Sequence, residues 1–327
     1  MASGKPWGRS KPWMVAALLL GTARALPGQT PPNPAPGSGP VTGYSNLIVT
    51  VDNLETSVAF YRDLIGLEVL SMRPGSPDNK FVNLYAAKVS GSPAGVVFGS
   101  AILKLPGAGF NLLMTEFGNV DRTRREAGVG GTGATTLVLI VKDLDGPFQA
   151  LKKAGARIVT RGGAPADLLD HSRSVMVRDA DGFLVLLVQP ALLPTTGPAE
   201  SGNILSAHAR LTVSRLDDTI RFYKDVLGFE FPSASAGGLP GMAPSFEFIE
   251  HKGGAKASPF ARLRDPGTAA FSLSVRNVDA LLAAMKASGA PVISAGAEPA
   301  VSPNGGRNVF VQDPDGFFLE LEGPSAR

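Results

Sequence analysis

One phrase is written twice in this chain. Phe60-Tyr61-Arg62-Asp63-Leu64-Ile65-Gly66-Leu67-Glu68-Val69 returns as Phe222-Tyr223-Lys224-Asp225-Val226-Leu227-Gly228-Phe229-Glu230-Phe231. A copied string of this length means a duplicated architecture, and duplication constrains a fold more than composition does. It also lets the two copies be compared position by position. Where one copy keeps a chemical group and the other has lost it, function is to be sought.

The flanks of the phrase repeat too. An alternating strand precedes each copy: Leu47, Val49 and Val51 point one way in the first, and Leu211 and Val213 oppose His208, Arg210 and Thr212 in the second. A helix follows each strand, with Leu54, Val58, Tyr61 and Ile65, and then Leu216, Ile220, Tyr223 and Leu227, at helical spacing. Asn53 is placed to cap the first helix, Ser214 with Asp217 offers a capping box for the second, and Gly66 and Gly228 stand at the helix ends. Strand-like runs come next: Phe81 to Ala86, Gly95 to Leu103 and Asn111 to Thr115, then Ser245 to Glu250 and a weaker one near Phe260 to Leu263. Each copy continues with a second strand–helix unit, Thr135 to Ala154 and Ala270 to Ala287. Each ends on a matching turn and strand, Asp179-Ala180-Asp181-Gly182-Phe183 and Asp313-Pro314-Asp315-Gly316-Phe317. Four strand–helix units result.

The chain has 327 residues, 44% of them hydrophobic, enough for two domains with cores of their own. It has no Cys, which excludes disulfides, thiolate metal sites and cysteine nucleophiles. Its net charge of +3 is local: removing Lys5, Arg9, Lys11 and Arg24 leaves −1. Nothing in the rest points to nucleic acid or an acidic membrane as partner. The first 25 residues read as an export signal: a basic stretch to Lys11, an apolar run from Met14 to Gly21, and Ala23-Arg24-Ala25 as a small-x-small cleavage pattern. Residues 26–40, rich in Pro, Gly and Ser, read as a spacer.

The phrase "FY-x-D-x-[LI]-G-[LF]-E" after a strand, with "D-x-D-G-F" before a last strand, resembles the vicinal oxygen chelate superfamily of glyoxalase I, bleomycin-resistance proteins and extradiol dioxygenases. The likeness spans Val41 to Gly323. It implies an α+β fold: tandem glyoxalase-like domains, residues 41–190 and 203–323, joined by a linker at 191–202 and followed by a tail at 324–327. Each is expected to consist of paired βαβββ modules, four in all, whose curved sheets enclose a cleft that commonly holds a divalent metal.

The resemblance also implies where metal ligands stand, on the first strand of each module and the last strand of each copy. In the first copy those positions carry Asn46, Thr136 and Leu186, poor donors for a divalent ion. In the second they carry His208 and Glu320, but Ala270 stands where a third ligand belongs. Glu247 and His251, on a neighbouring strand, are candidate supports. Fe, Mn, Ni or Zn is the expected ion if one is held. Against that stands an ion pair between Arg210 and Glu320 replacing the metal, with Arg210 equally able to receive an anionic ligand group. Tyr44, Asn46, Tyr85 and Phe110 either line the first copy's cleft or pack inside it. His171 reads as a surface histidine and Arg122, Arg124 and Arg125 as a solvated linker; Gly128 to Gly133 lacks the Lys-Ser/Thr of a phosphate loop.

These readings lead to an exported protein, periplasmic or extracellular, binding a small molecule in a cleft with a degenerate metal site. The alternative is a metal-dependent lyase, isomerase or extradiol-type dioxygenase acting in the second copy. The expected assembly is a pseudo-dimer within the chain, with a homodimer left open.

Overall fold

The computed structural model describes residues 39–193, 202–251 and 262–324. The expected export signal, most of the spacer and most of the linker lie outside the described residues, as does part of the weak run near Phe260.

Four modules follow one another. The first contains β1 (Val41–Val51), β2 (Val69–Arg73), β3 (Val97–Leu103) and β4 (Asn111–Gly118), with helices α1 (Leu54–Ala59) and α2 (Lys80–Ser90). The second contains β5 (Thr135–Val141), α3 (Asp145–Lys153), β6 (Arg157–Ile158), β7 (Ala166–Asp167), β8 (Arg173–Arg178) and β9 (Leu184–Gln189). The third contains β10 (Ile204–Val213), α4 (Leu216–Asp225), β11 (Ala236–Gly237) and β12 (Phe246–Glu250). The fourth contains β13 (Ala269–Val275), α5 (Val278–Ala287), β14 (Ala300–Val301), β15 (Arg307–Gln312) and β16 (Phe318–Gly323). In every module the first strand runs parallel to the last: β1 with β4, β5 with β9, β10 with β12, and β13 with β16.

Modules pair across the copies. The first and fourth form one eight-stranded sheet, ordered β14-β15-β16-β13-β1-β4-β3-β2. The second and third form the other, ordered β11-β12-β10-β5-β9-β8-β6, with β7 beside β8. The seams are the antiparallel pairs β1·β13 and β10·β5. Copies along the sequence and sheets in space therefore do not coincide.

The repeated phrase is a helix in both copies. In the first, α1 continues through Phe60–Ile65 as a wider π-helical turn and ends on Gly66 at φ 91°. In the second, Gly228 takes φ 75° after α4. Only a residue without a Cβ adopts these left-handed angles freely. Asn53 caps α1 by accepting from Thr56 N at 2.9 Å. The expected capping box of the second helix does not form: Ser214 Oγ donates to Asp315 Oδ1 at 2.6 Å, and the Leu216 N–H is taken by Glu250 Oε2 at 3.0 Å. A long-range carboxylate outcompetes the local cap.

A second correction concerns Phe81 to Ala86, which belongs to helix α2 and not to a strand. Asn83, Ala86, Ala87, Val89 and Ser90 form its buried face, while Phe81 and Leu84 are exposed. That spacing is helical, and the Ala pair favours it. The helix touches β3 near one edge of the first sheet and β14 and β15 at the other. It therefore lies across the mouth of that sheet. This explains β1, buried on both faces: Leu47, Val49 and Val51 enter the central core, and Ile48 and Thr50 lie under the helix.

One continuous core joins both sheets. Tyr44 and Phe271 of the first sheet meet Phe246 of the second in edge-on and tilted contacts with centroids 4.4–5.9 Å apart.

Candidate ligand-binding site

The exchange of modules decides which polar groups can meet. Glu320 rides on β16, which pairs with β13 and through it with β1, so it belongs to the first sheet. His208 rides on β10, in the second sheet. The two residues expected to share an ion thus stand on different sheets, and Arg210 pairs with Glu247, not with Glu320. The reason is topological: β13 takes β1 as its antiparallel neighbour, leaving β10 to β5.

In the first sheet α2 covers a cavity of about 190 Å³. Ile48 from β1, Leu113 and Thr115 from β4, Phe98 from β3 and Phe310 from β15 form its walls, and Tyr85 reaches in from α2. Two wall hydroxyls are paired: Thr50 Oγ1 donates to the Leu263 carbonyl at 2.5 Å and lies 3.2 Å from Thr115 Oγ1. Among the described residues Glu320 is the one charged residue in the lining. It is buried, and accepts from Ser272 Oγ and, at 3.0 Å, from Asn308 Nδ2. Burial pushes its carboxyl up to about 7, and the charge of Glu322 pushes the same way against the hydrogen bond from Ser272. Glu322 accepts from Ser45 and Ser274. Burial, then the charges of Glu320 and Glu322, raise the Tyr85 hydroxyl far above its ordinary value.

In the second sheet His208 Nε2 lies 3.3 Å from Glu247 Oε2, and Arg210 Nε donates to the same oxygen at 2.7 Å. The Glu247 carboxylate is 4% exposed, which alone would raise its pKa. The His208 hydrogen bond and the Arg210 guanidinium outweigh burial and hold it below the usual range. Beside this cluster the register places Thr136 and Val138 of β5, then Leu184 and Leu186 of β9. The apolar last strand of the first copy therefore shares a sheet with the polar strand of the second, with β5 between them.

Neither arrangement fits a divalent ion. The first sheet offers Glu320 at the cavity, with Glu322 engaged by Ser45 and Ser274, while Ile48, Leu113 and Ala270 in the neighbouring row supply no donor. The second offers one histidine and one carboxylate, whose shared oxygen already holds a guanidinium. Among the described residues no three His, Asp or Glu side chains converge.

The remaining expected residues are scattered. Tyr44 packs between the sheets, and its hydroxyl accepts from Leu239 N at 2.6 Å. Asn46 is half-buried on β1 opposite Asn111. His251 follows β12 and lines a separate cavity of about 470 Å³ with Arg125 and Phe318. Phe110 packs on Phe271 in the core, whereas Tyr85 does face the cleft. His171 is exposed, with φ 63°. The arginines are partly engaged: Arg122 bonds the Asp52 carbonyl at 3.1 Å, and Arg125 lies 3.6 Å from the buried Asp265. Sequence reasoning missed Ser272, Asn308 and the covering helix. Ser272 shares the alternation of Ala270 and was within reach of it; Asn308, a polar residue inside a strand of Val and Phe, carried the same kind of signal.

The model of the Glyoxalase/Bleomycin resistance protein/Dioxygenase superfamily matches residues 43–187 and 206–321. No curated protein matches the sequence significantly. Among solved structures, glyoxalase I from Zea mays superposes with a TM-score of 0.58 at 18% identity, over 86% of this chain and 92% of that one. A putative dioxygenase from Bacillus subtilis superposes with a TM-score of 0.54 at 12% identity, over 88% of this chain and 87% of that one. At these identities the likeness is one of fold.

Proposed function

The chain belongs to the Glyoxalase/Bleomycin resistance protein/Dioxygenase superfamily, and from that premise we propose that it binds a small, largely apolar molecule in the covered cleft of its first sheet. The observation that carries this reading is the cavity of about 190 Å³ under α2, apolar on nearly every side, with Glu320 as the one charged anchor among the described residues. Ligand sites are typically concave and mostly apolar, with a few placed polar groups. Binding without conversion is the reading favoured by the lining: among the described residues no hydroxyl of the cavity is hydrogen-bonded to a base, and the donors do not make a metal set.

A screen of fragment-sized compounds by thermal shift tests the proposal, with Ser100→Trp as the control that fills the cavity from β3. Compounds should stabilise the native chain and lose that effect in the variant. Hits that stabilise both proteins equally would place binding elsewhere and defeat the reading.

A metal-dependent lyase, isomerase or extradiol-type dioxygenase is the second reading. His208 and Glu247, 3.3 Å apart, favour it; Arg210 on the same oxygen opposes it. Metal analysis of the purified protein, with and without His208→Ala, separates the two: stoichiometric Fe, Mn, Ni or Zn lost in the variant would favour the enzyme. Export belongs to the same proposal, resting on the tripartite pattern of residues 1–25. Intact mass of the protein recovered from its producing cells should give Leu26 as first residue.

A further inference from the structure

We propose that the covered cavity of the first sheet takes a small lipophilic amine in its ammonium form, with the charge against Glu320 and the face of Tyr85 beside it. The inference rests on the binding reading above and adds the chemical class of the ligand.

Among the described residues Glu320 is a buried acid without a cation. Its oxygens accept from Ser272 and Asn308, both neutral, and no basic side chain among the described residues acts on it. Glu322, on the same face of β16, is likewise held by two serines. Elsewhere the chain treats buried acids differently. Glu247 receives Arg210 at 2.7 Å, and Asp265 receives Arg262 at 2.7 Å. Asp179 and Asp313 are saturated by a tyrosine hydroxyl and two backbone N–H groups each. Glu320 instead lines the cavity under α2. An isolated carboxylate in an apolar setting is expensive to ionise, and a cation brought by the ligand offsets that cost.

The rest of the lining selects the same class. Tyr85, Phe98, Phe117 and Phe310 surround the space, and aromatic faces attract ammonium groups. Tyr85 comes from the covering helix, so the cation would be enclosed between β16 and α2. Among the described residues neither Lys, Arg nor His lines the cavity, so an anionic ligand would meet no opposite charge there. A neutral ligand would leave Glu320 as it found it. The volume of about 190 Å³ lies below the ~300–1,000 Å³ of ordinary ligand pockets, limiting the occupant to one ring or a branched chain.

The test is isothermal titration calorimetry of the full chain at pH 7.5 with three isosteric probes: benzylamine, benzyl alcohol and benzoate. Benzylamine should bind at least tenfold tighter than the alcohol, and benzoate should not bind. Glu320→Gln should abolish the amine preference. Tyr85→Leu, at a half-buried position of the covering helix, should weaken the amine several-fold and leave the alcohol unchanged. Equal binding of alcohol and amine, binding of benzoate, survival of the preference in both variants, or no binding of any probe would each overturn the proposal. So would stoichiometric Zn²⁺ binding that displaces benzylamine and vanishes in Glu320→Gln. The two readings fail separately. If the alcohol binds as tightly as the amine and Ser100→Trp abolishes both, the amine class falls and the binding site stands; if Ser100→Trp leaves all binding intact, both fall.

Discussion

Tyr61 donates its hydroxyl to Asp179 Oδ2 at 2.8 Å, joining the repeated helix phrase of the first module to the closing turn of the second. Tyr223 repeats the bond to Asp313 at 3.0 Å. Each pair is buried. Because the first two modules lie in different sheets, and so do the last two, each bond ties one sheet to the other. Both motifs that mark the duplication in the sequence are therefore halves of one contact, written twice. Asp181 and Asp315 extend it: Asp181 accepts from Ser57 Oγ at 2.6 Å, and Asp315 from Ser214 Oγ at 2.6 Å.

Removing one tyrosine hydroxyl strips the partner from a buried acid while keeping the ring in the core. Tyr61→Phe and Tyr223→Phe should each cost about 1–3 kcal/mol. Sharing no partner, they should add in the double variant to within ~0.5 kcal/mol. Urea unfolding of the three variants measures both. A loss confined to one tyrosine would mean that the pairs are equivalent in sequence only.

The same pairs set a pH dependence. Burial above all, aided by a neighbouring carboxylate, raises Asp179 and Asp313 to about 7. The native state therefore holds protons that the unfolded chain, titrating near 3.9, has released. The stability contributed is complete below about pH 4 and is lost as pH rises through 7. Glu320, also raised to about 7, acts in the same direction. Glu247 and Asp265, held below the usual range, contribute stability that is lost only as pH falls below their unfolded values. Unfolding free energy should thus fall from about pH 5 to pH 8, and Asp179→Asn with Asp313→Asn should flatten the slope. A stability that rises across this interval in the parent protein would contradict the assignment.

Much of the fold was legible because its signals are local. The phrase around Tyr61 carries a helical face and a terminal glycine, and Asp179-x-Asp181-Gly182 carries its own turn. Partner choice between strands is not local: the alternation of Leu47, Val49 and Val51 names a buried face without saying whether β13 or β5 lies alongside. Hence the sequence sets Glu320 beside His208, whereas the strand pairing puts them in different sheets. The covering helix was misread because Phe81 to Ala86 is short, and a short apolar run fits both periods. Its exposed Phe81 and Leu84 carry no mark of a helix that bridges two sheet edges.

The second sheet offers a test of whether Arg210 stands in for a lost cation. Arg210→Met leaves Glu247 buried with His208 alone, and breaking a buried pair in this way typically costs about 3–5 kcal/mol. Arg210→Met with Glu247→Met removes both charges and should recover most of the loss. Chemical denaturation of the two single variants and the double gives the coupling. If the double variant is as unstable as Arg210→Met alone, the arginine acts by packing its stem and not by neutralising Glu247.

The cover of the first sheet hangs on the end of α2. Gly91 closes that helix at φ 65°, and a Cβ there would come within 2.6 Å of the Ile293 carbonyl oxygen. Ser294, the next residue, donates its hydroxyl to the Val89 carbonyl at 2.6 Å. The helix end is therefore fastened to the segment leading into β14, on the far edge of the sheet from β3. Gly91→Ala combines a left-handed angle, costing about 1–2 kcal/mol for a residue with a Cβ, with a clash against backbone that cannot move aside as a side chain would. The expected result is local. Amide exchange across Lys80–Ser90 should accelerate, exchange in β1 and β13 should stay slow, and benzylamine affinity should fall at least tenfold. Ser294→Ala, which removes the fastening without strain, should reproduce the effect more weakly. Unchanged exchange in α2 together with unchanged affinity would show that the cleft does not depend on this helix for its cover.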